Sequence, residues 1–227
     1  MWTEHIDIYC ERLDTSFWAE PLNALTNISF IFASFMAIYI HRKNSLKNPI
    51  FLFLAFYVSL IGVGSFLFHT FANTWSELAD TIPIWTFVIF FVFFSIRVVF
   101  QASWFKTIRI MIIVFICAYI GLFLSKTDNS IDEAILNGSL QYTPALFFML
   151  VYSISLYFKR RTISKYGFLA VFVFFISLSF RTLDMYMCEN ISIGTHFVWH
   201  ILNAVMLFLL LYTFHLSIKE DEHLQKV

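Results

Sequence analysis

Charge is scarce in this sequence. Only 13% of its 227 residues are Asp, Glu, Lys or Arg, about half the share of a water-soluble domain, which excludes a soluble fold. Lys plus Arg and Asp plus Glu both number 15, so no surplus of positive charge points to a nucleic acid partner. Cysteine is scarce too, and three residues exclude a small scaffold stapled by several disulfides. Repeats and low-complexity tracts are absent. The segment "MWTEHIDIYCERLD" is acidic where a secretory signal carries positive charge, and no small-residue cleavage site follows the first apolar run, so that run is expected to stay in the protein.

What the chain has is apolar side chain: 59% of it is hydrophobic and 20% aromatic, with a mean hydropathy of +0.75. Charges and turn residues cut it into seven long apolar runs, at about 22–40, 50–69, 81–100, 108–125, 138–158, 166–183 and 194–217. A spanning helix needs about 20 residues, and Lys and Arg at the ends of the shorter runs reach the interface and extend them. Unpaired backbone is costly in hydrocarbon, so each run is predicted to be a helix. The expected architecture is all-α: one integral membrane domain over 1–227, a seven-transmembrane helix bundle with an outer N-terminal segment over 1–20.

Charge distribution suggests an orientation. Seven spans place the N-terminus and the loops after the second, fourth and sixth runs on one face, where Arg12, Lys126 and Arg181 are the only basic residues; the other twelve lie opposite. The positive-inside rule then makes the C-terminus cytoplasmic and the N-terminus outer or lumenal. Carboxylates run the other way, from Glu4, Asp7, Glu11, Asp14 and Glu20 to Asp128, Asp132, Glu133, Asp184 and Glu189 on the outer side, a pattern that fits either cation binding or loops avoiding positive charge. Cys10 and Cys188 share that face and Cys117 lies mid-span. An oxidising outer compartment would allow a Cys10–Cys188 disulfide, the alternative being two free thiols; Cys117 reads as a small packing residue.

Polar residues inside the runs crowd at one depth. "SFLFHTFANTWSELAD" places Ser65 and His69 four apart at the end of the second run and Asp80 at the start of the third, while "GTHFVWHILNA" places His196 and His200 four apart at the start of the seventh. Residues four apart share a helix face. Two such histidines and a third from a neighbouring helix leave the fourth tetrahedral position of Zn²⁺ open, and intramembrane ionisable groups are costly and functional as a rule. Asp80 suits a general acid/base and Ser65 a hydrogen-bond donor to water or an oxyanion. His5, His41, His215 and His223 have no such company and read as interfacial or solvated. Arg181 and Asp184 are expected to pair or to face the site loop. Asn23, Asn27 and Asn203 read as helix-joining residues, Gly62 and Gly64 as points of close approach, and Tyr142 as packing.

The ordered set Ser65, His69, Asp80, His196 and His200 resembles the alkaline ceramidase family, part of a group of seven-helix membrane hydrolases that includes the progestin and adiponectin receptors. The N-terminal "YCER……WAEPLNALTN" is similar to that branch through Cys10, Glu11, Glu20, Asn23 and Asn27. The resemblance implies His69, His196 and His200 as zinc ligands, Asp80 as general acid/base, Ser65 as an aid to water or oxyanion binding, and a Cys10–Cys188 link. It also implies Ca²⁺ in the N-terminal segment, held by Glu11, Glu20 and nearby oxygens such as Asp7. Ile8 stands where the family has aspartate, Asp7 and Asp14 are out of register, and the Glu11–Glu20 segment is shortened.

The expected activity is therefore zinc-dependent hydrolysis of the N-acyl bond of ceramide or a ceramide-like membrane lipid, with no obligate protein partner. Another N-acyl or O-acyl lipid is the alternative substrate. A seven-helix receptor with structural zinc is a reading of another class, disfavoured by short inner loops. A transporter would spread polar groups through the bilayer depth. The compact chain and its N-terminal pattern point to a bacterial inner membrane, with the site facing the periplasm.

Overall fold

The computed structural model describes residues 2–126 and 136–224, so Asp128, Asp132 and Glu133, and the Lys126 side chain, lie outside the described residues. Among these the regular secondary structure is helix, with no strand beyond one isolated bridge between His5 and Asn73. Six helices among the described residues are long and apolar enough to cross a membrane: α1 (Pro21–Lys43), α2 (Pro49–Phe71), α3 (Thr74–Val99), α5 (Ser139–Lys159), α6 (Arg161–Met187) and α7 (His196–Leu224). A seventh long helix, α4 (Trp104–Lys126), lies between α3 and α5 in the chain. The all-α, membrane-embedded architecture agrees with the pattern of apolar runs.

Local chemistry sets the helix boundaries. Pro49 opens α2, where its fixed φ costs nothing, and Asn48 caps it by accepting from the Phe51 amide at 3.0 Å. Ala72, at φ 42°, ends it in the left-handed region. The third helix starts seven residues before the expected Thr81 because Asn73 and Ser76 form a reciprocal capping box. Asp80 is therefore inside α3, not at its start.

Helix α7 is the most enclosed of the six spans and packs against α6, α1, α2 and α3. Tyr152 and Thr213 bond at 2.8 Å between α5 and α7, and Ser177 of α6 donates to Asn203 of α7 at 3.1 Å; such bonds contribute about 0.6–2 kcal/mol in membranes. Asn23 and Asn27, expected to join helices, instead bond near the head of α1, to Glu20 and to the Asn23 carbonyl. α4 presents Ile112, Phe115, Ile116 and Tyr119 outward, and Cys117 is exposed with them instead of packed.

The end of the bundle away from Ser65 and His69 corrects another expectation. His41 and His215 are buried, not solvated, and pair through Nδ1 atoms 3.1 Å apart, with the His41 ring stacked on Phe51. At the same end Arg160 is buried and bonds Glu220 and Asp221, closing α6 onto α7.

Candidate active site

Three imidazoles converge where the ends of α2 and α7 meet. His69, His196 and His200 are each 1% exposed, and each offers a ring nitrogen within 4.8 Å of the others. The i, i+4 spacing puts His196 and His200 on one face of α7; His69 arrives from the last turn of α2. Two of the rings are held from outside. Glu20 Oε2 lies 2.6 Å from His69 Nδ1, and Thr26 Oγ1 lies 3.0 Å from His200 Nδ1. His69 Nε2 and His196 Nδ1 are buried without a hydrogen-bond partner. His69, anchored through Nδ1 with Nε2 left open, has the arrangement of a metal-ligating histidine, whose outer partner fixes ring and tautomer. These residues could hold a metal ion, and three nitrogen donors suit zinc.

Asp80 and Ser65 face the same space. Both line one cavity with His196 and His200, Ser65 lies against the Asp80 carboxylate, and Asp80 Oδ1 is buried without a partner. A close helix approach puts them there. A Cβ on Gly64 would collide with the Ala79 carbonyl and the Asp80 backbone, so glycine lets α2 and α3 touch. Pro83 has no N–H to give the carbonyl four residues back, which is that of Ala79; this carbonyl is the one facing Gly64.

The cavity has a volume of about 420 Å³, within the ordinary range for a small-molecule site. Its polar end holds Tyr9, Ser65, Asp80, Tyr142, Arg181, His196 and His200; Phe87, Phe91, Met149 and Leu210 line its apolar depth. Tyr142 is thus a lining residue as well as a packing one.

The N-terminal segment closes this end of the bundle. Cys10 and Cys188 form a disulfide, with Cα atoms 5.5 Å apart, as the shared face allowed. Asp184 does not pair with Arg181. It accepts from the amides of Cys10 (3.0 Å), Thr195 (2.6 Å) and His196 (2.8 Å), joining the disulfide to the first turn of α7. Gly194, at φ +61°, passes so close to Asp184 that a side chain there would collide with it. The Tyr9 ring stacks on His196 with centroids 3.7 Å apart.

The residues expected to hold calcium are engaged as follows. Asp7 is exposed. Glu11 gives its two oxygens to the backbone amides of Leu22 and Asn23, at 2.7 and 2.8 Å, and so caps α1. Glu20 accepts from Arg12 Nε at 2.5 Å and Asn23 Nδ2 at 3.0 Å while meeting His69. Burial opposes ionisation of Glu20, but its hydrogen bonds with His69 and Asn23 and the charge of Arg12 hold its carboxyl below the ordinary value. Burial pushes Glu11 up, against its two amide bonds. The positive charge among these carboxylates is the guanidinium of Arg12, which is 4% exposed and also donates to the carbonyls of Asp14 and His69.

Sequence reasoning did not find Tyr9, Arg12, Thr26 or the bonds of Asp184. Asp184 carried a usable signal, an acid four residues before Cys188 at the end of an apolar helix. The partners of Arg12 and Thr26 come from distant chain segments and leave no trace in spacing. From residue 5 to residue 227 the chain matches the family model described as Ceramidase. No curated protein matches it.

Proposed function

Since the chain belongs to the ceramidase family, we propose that this membrane hydrolase is a zinc-dependent amidase that acts within the bilayer, cleaving the N-acyl bond of ceramide or a ceramide-like lipid into a long-chain base and a fatty acid. The observation that carries this reading is the convergence of three buried imidazoles, with open nitrogens, at the polar end of an apolar cavity. Zinc there would supply Lewis acidity toward a carbonyl and toward water.

His69, His196 and His200 hold the ion, and Glu20 and Thr26 keep two of the rings turned toward it. The apolar depth of the cavity takes the acyl chain and excludes water from the reacting end. Asp80 takes a proton from the attacking water and returns it to the leaving nitrogen. Ser65 donates toward the negative charge growing on the carbonyl oxygen. We assign the catalysis to one domain over residues 1–227 and place its site end on the outer face, by the positive-inside argument, in a bacterial inner membrane.

The test is metal analysis of the purified protein alongside fatty-acid release from N-acyl and O-acyl lipids. The His196→Ala, His200→Ala double variant is expected to lose both metal and hydrolysis. Full metal content with unchanged hydrolysis in that variant would overturn the reading.

A further inference from the structure

Arg181 is the buried charge in the cavity that this chemistry leaves unused; Lys106 also lines the cavity but is exposed. It is 5% exposed and lines the same space as Asp80 and the α7 histidines. No carboxylate among the described residues lies within ion-pairing distance of it; Asp80, the one acid among the cavity's described lining residues, shares the space without bonding it. Its Nη1 donates to the Tyr9 hydroxyl at 2.6 Å, and its Nε is buried with no hydrogen-bond partner. The rings of Tyr9, Tyr142 and Trp199 surround it, with centroids 5.5, 5.4 and 5.6 Å from its guanidinium carbon. Aromatic faces attract a cation, but they do not supply the acceptors that a buried guanidinium needs.

Position gives this cation a use. Tyr9 touches Arg181 through its hydroxyl and His196 through its stacked ring, so an anion bound to Arg181 would sit one tyrosine ring from the candidate metal centre. The planar guanidinium fork matches carboxylate and phosphate oxygens.

We propose that Arg181 binds an oxyanion group on the amine side of the substrate, which narrows the proposed function to a ceramide-like lipid with an acidic head in place of neutral ceramide, N-acyl amino acids being the simplest probes that carry such a group. The inference rests on the hydrolase reading only in taking this cavity as the substrate site. A neutral head would leave the buried charge unanswered.

The test is binding, which needs no turnover. Affinities of the full-length protein in detergent are compared for N-oleoylglycine and N-oleoylethanolamine, which share an acyl chain and an amide and differ in the acidic group. The wild type is expected to favour the acid by roughly tenfold to a hundredfold, as charge-assisted hydrogen bonds supply. Arg181→Lys should keep much of that preference and Arg181→Met should remove it, the ratio of the two affinities within each variant being the readout. Equal binding of the two amides by the wild type overturns the proposal without any variant, as does a preference that survives in Arg181→Met. A third arm, oleate, separates the substrate head from the released acid: Arg181-dependent binding of oleate with no preference between the amides would assign the residue to product and overturn the proposal. A confirmed preference with no acyl bond cut would fell the hydrolase reading and leave this one standing.

Discussion

A buried imidazole has two nitrogens to satisfy, and how it does so separates the two histidine groups in this protein. His41 and His215 satisfy each other, and His41 Nε2 accepts from the Asn48 amide at 3.3 Å; that is a packing pair. His69 and His200 are instead anchored outward through Nδ1, and His196 lies under Tyr9 with Nδ1 open. The i, i+4 spacing of His196 and His200 was legible in the sequence, as was the common depth of Asp80 and Ser65. What spacing did not carry was the outer anchoring, since Glu20 and Thr26 precede these rings by 49 and 174 residues. The same blindness made His41 and His215 read as interfacial or solvated. At this scale the proton-transfer role of Asp80 is open to direct test. Asp80→Asn keeps the shape of the side chain but removes the base, and Asp80 is not among the three metal-binding candidates. Fatty-acid release is expected to fall about 10²–10⁴-fold, the contribution of general acid–base catalysis, with metal content unchanged; activity near wild type would remove Asp80 from the mechanism.

Two glycines on α2 show how helix packing sets the site, and they push in different directions. A Cβ on Gly62 would come within 2.9 Å of the Asn27 carbonyl and the Phe30 Cβ, on α1, whereas one on Gly64 would strike the backbone of α3. Their role in close approach was readable from composition, because small residues let membrane helices meet. The start of α3 was not: a Thr-Trp-Ser-Glu sequence beside an apolar run reads as a loop until the Asn73–Ser76 box is seen to cap it. Gly64→Ala should therefore move Asp80 relative to the histidines while leaving the triad intact, since the triad is carried by α2 and α7. Overpacking of this kind costs about 1–3 kcal/mol. The expected result is a lowered melting temperature and a reduced turnover with metal retained. Metal loss in step with activity would instead show that the α2–α7 contact, and not α3, is what the glycine protects.

Across the whole molecule, the N-terminal segment acts as a strap over the site. Cys10 ties it to Cys188 after α6, Asp184 ties the same point to the head of α7, and Arg12 ties it to Glu20 and to the His69 carbonyl at the end of α2. Seven apolar runs were enough to give the bundle, since length and hydropathy alone demand helices in lipid. The strap depends on a family pattern and its local departures: Glu11 meets backbone amides and Glu20 meets Arg12, and these two carboxylates are the ones that the resemblance assigns to calcium. A fixed guanidinium and an exchangeable cation make different demands on solution conditions. With Arg12 in place, titrating calcium from trace to millimolar levels in zinc-supplemented buffer should leave the melting temperature unchanged. Arg12→Ala leaves Glu20 buried without its cation, and breaking a buried pair on one side costs about 3–5 kcal/mol, so that variant should melt well below the wild type. Because Glu20 also anchors His69, the variant should hold its metal more weakly, and added calcium that restored both properties would show the guanidinium to occupy the place of an ion. A calcium-dependent rise in the melting temperature of the wild type would contradict the arginine strut outright, since no carboxylate of the strap would then have oxygens already committed.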